Sequence, residues 1–358
     1  HQDQTLDWLV ACQTPALGAR MLSCECGWSA PVFNSCKNRH CPQCRGGVRA
    51  EWLQAREEQL LPVPHFQVVF TLPSELRPLA HFQPRRVYDL MLRAAAETLQ
   101  TLGADRLDAQ LGVLAVLHTW SQDLSLHPHV HCLVTAGGLR RDQEAWVETR
   151  LDYLFPQRVM ADLFRGKVVD GLRRAVDAGE VFAHGEPEAA RHTFDTTVRT
   201  AFRHRWVVHV EAPEGRNPAL AAKYLARYVG GTAIANARMR ELTDTHVSFD
   251  TRQGLRTLKG TEFVRRFALH ILPKGLHRVR YFGLYAPGNV HHRWATARRL
   301  LGAPVPPERP ERPQKTCPVC GRPVVEGPHP TMSGIRPTRP PRAAGSPARA
   351  SPQPRAPS

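Results

Sequence analysis

The residues of this chain whose types and spacing could do chemistry fall into three groups. The first is His127-Pro-His129-Val-His131, preceded by His118. Side chains two apart on a strand point to one face, so His129 and His131 can bind one cation while Val130 packs inward. His118 lies across from that pair if the two segments form a hairpin. Three imidazoles from two strands would hold a metal and leave coordination positions open. Pro128 has no ladder donor and suits a strand start, which puts His127 just outside the strand. The second group is cysteine. Six of the nine cysteines lie between Cys12 and Cys44, and the dense part reads Cys24-Glu-Cys26, then Cys36-Lys-Asn-Arg-His40-Cys41-Pro-Gln-Cys44. The first residues carry no apolar run of a secretory signal, so metal ligation is the stronger reading and a disulfide framework the weaker. Zinc takes four such ligands in a tetrahedron, and the preferred set is Cys24, Cys26, Cys41 and Cys44. Cys36 and His40 stand in reserve, and Cys12 is available to a second metal. The interleaved Arg20, Lys37, Arg39, Arg45 and Arg49 make this module cationic. The third group lies in Asn217-Pro-Ala-Leu-Ala-Ala-Lys223-Tyr224-Leu-Ala-Arg227-Tyr228-Val-Gly230-Gly231. Tyr224 and Tyr228 stand at i and i+4 of a helix, one turn apart on one face, with Lys223 and Arg227 on the adjacent stripe. Taken alone, that pair is better read as an aromatic edge over a core.

These groups need elements to hold them. Asn217 is a good N-cap, Pro218 fits the first helical position, and Gly230 suits the stop. His65–Thr71 reads as a strand closed by Leu72-Pro73, and Leu111–Trp120 and Val130–Thr135 read as two more. The short linker Ser121–Pro128 lets those two pair antiparallel. Arg86–Leu102 has apolar positions at helical spacing, and Phe155–Ala175 looks helical. Arg203–Val210 and His246–Asp250 look like further strands. The mixture predicts an α+β domain with an antiparallel sheet and flanking helices.

Composition bounds the partners. The 358 residues carry 48 Lys+Arg against 32 Asp+Glu, a formal net charge of +16, and the pI is near 10.0. So basic a chain points to a polyanion, most commonly nucleic acid. An apolar fraction of 42% rules out wholesale disorder, and no stretch approaches the ~18 apolar residues of a membrane span. The chain starts at His1, which reads as a fragment or processed form. Residues 303–358 hold 16 of the 31 prolines, with nine basic and three acidic residues. Such a segment lacks apolar residues to offset its chain entropy and is expected to be largely disordered. Its ordered candidate is Cys317-Pro-Val-Cys320-Gly, half a zinc knuckle with no second half downstream, which would have to borrow ligands from elsewhere. The remaining residues carry 39 basic and 29 acidic side chains, so the folded part is basic as well. The expected domains are a zinc-binding module at 1–58, a main domain at 59–301 and a Pro/Arg-rich tail at 302–358.

Taken in order, these segments resemble the rolling-circle insertion-sequence transposases of the IS91 family, in the HUH endonuclease superfamily. The resemblance runs from about Leu6 to Leu301. Asn34–Cys44 is similar to the family's N-terminal zinc-binding region, Val68–Pro73 to its first strand, and Leu117–Trp120 with His127–Cys132 to its metal-binding centre. Tyr224-Leu-Ala-Arg-Tyr228 resembles its paired-tyrosine helix, and Glu262–Phe267 with Arg278–Leu284 its closing segment. Val-Gly-Gly after Tyr228 departs from relatives that carry a basic residue there, which touches subgroup and phosphate contacts rather than the chemistry. The resemblance implies an enzyme that nicks and rejoins single-stranded DNA at transposon ends in the bacterial cytoplasm. Tyr224 and Tyr228 would be nucleophiles, and His118, His129 and His131 would hold magnesium or manganese. Lys223 and Arg227 would meet phosphate, and structural zinc would shape a module for recognising DNA ends. Two other readings compete: a non-catalytic zinc-dependent DNA-binding protein, and a metallohydrolase in which water attacks.

Overall fold

The computed structural model describes residues 1–44, 59–180, 187–213, 215, 220, 223, 229, 231–303 and 314–328. The chain divides into two compact units, one of residues 1–44 with 312–358 and the other of residues 45–311.

The first unit opens with helix α1 (Gln2–Val10), followed by the hairpin strands β1 (Ala19–Ser23) and β2 (Ser29–Phe33). Cys24 and Cys26 sit in the hairpin turn, which Gly27 closes at φ 90° by donating its N–H to the Cys24 carbonyl. A third strand, Val325–Pro328, pairs antiparallel with the free edge of β1, Ser23 opposite Val325 and Arg20 opposite Pro328. The ordered candidate of the proline-rich end, Cys317–Cys320, thus lies in a segment, residues 314–328, that folds onto the N-terminal module, and this unit draws on both ends of the chain. Backbone pairing to β1 supplies the order that the segment's own side chains lack.

The second unit is built on an antiparallel sheet with strand order β11-β4-β5-β3-β7. Its members are β3 (His65–Thr71), β4 (Ala109–Trp120), β5 (Leu126–Arg140), β7 (Val208–Glu211) and β11 (Val279–Gly283), with the short β6 (Trp146–Glu148) on β5. Helix α2 (Arg77–Phe82) precedes α3 (Pro84–Leu107), and α4 (Gln157–Asp177) and α5 (Pro187–Arg203) follow the central hairpin. The α3 sequence buries Val87, Met91, Leu92, Ala95, Leu99 and Leu102 at helical spacing and ends where Asp108 turns to φ 48°. These meet Val113, Ala115 and Leu117 of β4, Val130, Cys132 and Val134 of β5, and Met160, Phe164 and Val168 of α4 in one core. Because β4 is buried on both faces, it reads as a near-continuous apolar run instead of an alternating one. Its other face carries a second cluster: Leu114, Val116, Leu133, Val229, Leu284, Tyr285 and Ala297, with Leu60, Leu61 and Val63.

The second unit continues into a smaller three-stranded antiparallel sheet of β8 (Met239–Leu242), β9 (His246–Thr251) and β10 (Gly254–Lys259). Helix α6 (Gly260–Leu269) follows it, and α7 (Arg293–Leu300) comes after β11. The α+β architecture of antiparallel sheets with flanking helices is as expected. The strand expected at Arg203–Val210 starts later, at Val208, because Arg203 closes α5.

Candidate metal centres

His118 and His129 stand directly opposite one another in the β4–β5 register, and His131 lies two residues further along β5. All three therefore occupy the sheet face that carries Leu114, Val116 and Leu133, while Val130 and Cys132 point into the helix-covered core. The ring centroids of His118 lie 5.4 Å from His129 and 4.9 Å from His131, and those of His129 and His131 are 4.9 Å apart. One ring nitrogen from each comes within 4.8 Å of the other two. The Nδ1–H of His129 donates to the His127 carbonyl at 2.6 Å. A carbonyl can only accept, so this bond fixes the tautomer and leaves the Nε2 lone pair for a metal. Burial holds His129 down to about 4 and His131 down to about 3. Both are therefore neutral at pH 7, the form that ligates. Three imidazoles converging on one point, two of them held neutral by burial, fit a divalent cation with positions left open for substrate.

The neighbourhood corrects one detail. His127 is inside β5, not outside it, because the register slips between His118 and Trp120 and gives β5 an extra residue there. Pro128 has no N–H for the ladder, and its carbonyl accepts from Leu72 N–H at the end of β3 instead. His127 turns away to Arg77, whose guanidinium donates to its Nδ1 at 2.9 Å.

The cysteines assemble differently from the preferred set. Cys24 and Cys26 join Cys317 and Cys320, while Cys41 and Cys44 join Cys12 and Cys36. The Sγ separations are 3.5 Å for Cys24–Cys320, 3.7 Å for Cys26–Cys317 and 3.8 Å for Cys36–Cys44. All are free thiols. The pairs Cys24/Cys26 and Cys41/Cys44 lie on different turns, and each is completed by its own partners. Cys36, held in reserve at first, and Cys12, kept for a second metal, are members of one quartet. His40 is in neither quartet; Arg39 Nε donates to its Nε2 at 3.3 Å. Hydrogen bonding with Cys36 draws the Cys41 thiol down to about 5, whereas burial pushes Cys44 up to about 11. Two all-sulfur quartets suit zinc well.

Comparison with known proteins bears on both centres. The family model described as "Putative transposase" matches residues 112–293, which span His118, His129, His131 and both tyrosines. The one described as "Transposase zinc-binding domain" matches residues 1–72. The "Putative transposase y4qJ" of Sinorhizobium fredii is 38% identical over 317 residues, 85% of this chain and 79% of that protein. The "Transposase for insertion sequence element IS801" of Pseudomonas savastanoi pv. phaseolicola is 27% identical over 297 residues, 79% of this chain and 70% of that one. The chain belongs to the IS91-type transposase family.

In this transposase the histidine hairpin is braced from the small sheet and from α6. His270 is buried, donates from Nε2 to the Leu124 carbonyl at 3.0 Å and accepts at Nδ1 from the Thr119 hydroxyl at 3.2 Å. Arg266 donates to the Asp123 carbonyl at 3.0 Å, and Arg238 to the Gln122 carbonyl at 2.5 Å. Trp120 stacks on His118 with centroids 4.5 Å apart. Of the expected helix 217–230, Leu220, Lys223 and Val229 are among the described residues, and all three are helical; Lys223 is exposed. Tyr224, Arg227 and Tyr228 lie outside the described residues. Val229 is buried in the cluster beside the histidines, and the Arg278 guanidinium donates to the carbonyls of Val229 and of Gly231. His270 carried no motif in the sequence, and Arg278 only opened the segment that resembles the family's closing motif; neither role could be read there, since each acts through a backbone carbonyl far along the chain. Cys317 and Cys320 did carry one, the half knuckle, but nothing local to it named its partners. Among the described residues no helix is long and apolar enough to cross a membrane.

Proposed function

We propose that this transposase nicks and rejoins single-stranded DNA at transposon ends through a 5′-phosphotyrosine, by rolling-circle transposition, with Tyr224 and Tyr228 as nucleophiles. The observation that carries the reading is the placement of Val229. This residue immediately follows Tyr228 and packs on the sheet face that presents His118, His129 and His131. This supports a reading in which the tyrosine helix ends beside the candidate metal centre. The buried Arg278 guanidinium supports the same reading, because it donates to the carbonyls of Val229 and Gly231.

His118, His129 and His131 would hold magnesium or manganese, which supplies Lewis-acid polarisation of the scissile phosphate when bound. A phenol is a weak nucleophile at neutral pH, so the attack depends on positioning. The phenolate oxygen of one tyrosine forms the new P–O bond, the P–O3′ bond breaks, and the departing oxygen takes up a proton as a 3′-hydroxyl. The phosphodiester energy is kept, so a later 3′-hydroxyl can attack the phosphotyrosine and release the phenol without ATP. A second tyrosine on the same helical face lets one strand be held while another is cut. Lys223 and Arg227 offset phosphate charge. The cytoplasm is the compartment this chemistry requires.

Incubation with single-stranded transposon-end DNA and a divalent ion separates the alternatives. The reading gives an SDS-resistant adduct carrying the DNA on the 3′ side of the cut, joined through its 5′-phosphate, and frees a 3′-hydroxyl on the other fragment. A pure DNA-binding protein gives no cleavage, and a metallohydrolase gives cleavage without an adduct.

A further inference from the structure

We propose that Cys24, Cys26, Cys317 and Cys320 form a second zinc site, separate from the Cys12/Cys36/Cys41/Cys44 site, whose role is to staple the C-terminal segment 314–328 onto the N-terminal module. Two of its ligands lie well beyond residues 1–72, the stretch matched by the zinc-binding family model. The geometry supports a metal directly. Zinc at about 2.3 Å from four sulfurs in a tetrahedron sets the sulfurs about 3.8 Å apart. The cross-pairs Cys24–Cys320 and Cys26–Cys317 are at 3.5 and 3.7 Å. Both halves are folded as knuckles. Cys24 and Cys26 occupy the β1–β2 turn, where Cys24 N–H donates to the Trp28 carbonyl. Cys317 N–H donates to the Arg322 carbonyl, Gly321 N–H returns to the Cys317 carbonyl with Gly321 at φ 74°, and Val319 N–H points at the Cys317 sulfur at 3.4 Å.

The segment has little else to hold it. Among residues 314–328 only Cys317 is buried, and Val319 and Val325 are 71% and 69% exposed. Its ion pairs, Arg20–Glu326 and Lys315–Glu326, are on the surface and contribute little. Four residue pairs of strand against β1 complete the contact. A segment this short without a core needs a metal or covalent staple, and binding energy at such a site is folding energy. The ligands are 291 and 296 residues apart in sequence, so the metal closes almost the whole chain into a loop.

The test uses the full chain loaded with Zn2+ and washed with a mild chelator, followed by titration with an organomercurial that releases only thiolate-held zinc. Wild type releases two equivalents. Cys317→Ser/Cys320→Ser releases one, Cys36→Ser/Cys44→Ser releases one, and the combined variant releases none. In the zinc-loaded wild type, trypsin spares the Lys315–Thr316 bond; in Cys317→Ser/Cys320→Ser it is cut, while the retained equivalent, loaded as Co2+, still gives thiolate charge-transfer absorption. One equivalent from wild type overturns the proposal. So does Cys317→Ser/Cys320→Ser releasing two equivalents, or none.

Discussion

Neutral imidazole is the ligating form of histidine, and burial keeps His129 and His131 in that form far below pH 7. Removing either ring should therefore cost metal binding more than folding. His129→Ala and His131→Ala are each expected to weaken Mn2+ binding at least ~10-fold in calorimetry, while the thermal midpoint stays the same or rises. A matching fall in midpoint would make these residues structural. Arg278 belongs to the same scale but acts by position. Arg278→Met leaves the Val229 and Gly231 carbonyls without their cation, at a cost of about 1–3 kcal/mol. On the proposed mechanism, single-turnover cleavage should then fall ~10-fold or more at unchanged affinity for single-stranded DNA. Loss of DNA affinity in its place would assign Arg278 to phosphate contact.

At the level of elements, the histidine hairpin depends on supports that also set a pH limit. His270 clamps the turn at Leu124, and His65 shares a buried 2.7 Å hydrogen bond with the Tyr285 hydroxyl. Burial lowers both to about 4, below the roughly 6.5 of an unfolded histidine. The folded state thus binds fewer protons, so their contribution is complete above pH 6.5 and is lost as pH falls toward 4. The slope is about 1 kcal/mol per pH unit for each histidine. Urea titrations at pH 7.5, 6 and 4.5 should show this decline, and His270→Gln should flatten it; an unchanged slope would contradict the assignment. Gly283, at φ 58° where β11 ends, is a second dependency. A Cβ there would lie 1.9 Å from the Leu111 carbonyl oxygen, so Gly283→Ala is expected to cost more than ~2 kcal/mol in the same titrations. The elements themselves were largely legible in the sequence. His65–Thr71 is a strand with the expected ends, and His118 meets His129 because a short linker leaves two apolar runs little choice but a hairpin. What was not legible is set by tertiary hydrogen bonding: the bulge that draws His127 into β5, the clamp by His270, and the carbonyls held by Arg278. None of these leaves a period or a spacing in the sequence.

For the whole molecule, charge and metal divide the work. Cysteine content announced zinc, but local spacing favoured one site from neighbouring pairs. The fold instead makes two quartets, one of them joined across nearly the full chain length. No rule based on spacing reaches across 291 residues. Residues 329–358 add five arginines and no acidic residue to a body that is already basic. Their removal should flatten the dependence of log affinity on log salt for single-stranded DNA by up to ~3.5, because each neutralised phosphate contributes about 0.7 to that slope. Cleavage at saturating DNA should be unchanged, and a drop there would give the tail a part in the chemistry. The account as a whole rests on a tyrosine attacking phosphorus beside the three histidines. The most direct measurement is denaturing gel analysis of wild type, Tyr224→Phe, Tyr228→Phe and the double variant with end-labelled single-stranded transposon-end DNA and Mn2+, followed by mass spectrometry of the adducted peptide. The account predicts an SDS-resistant adduct mapping to Tyr224 or Tyr228 in wild type and none in the double variant. Cleavage by the double variant at the wild-type rate, or cleavage by wild type with no protein-linked DNA, would contradict it.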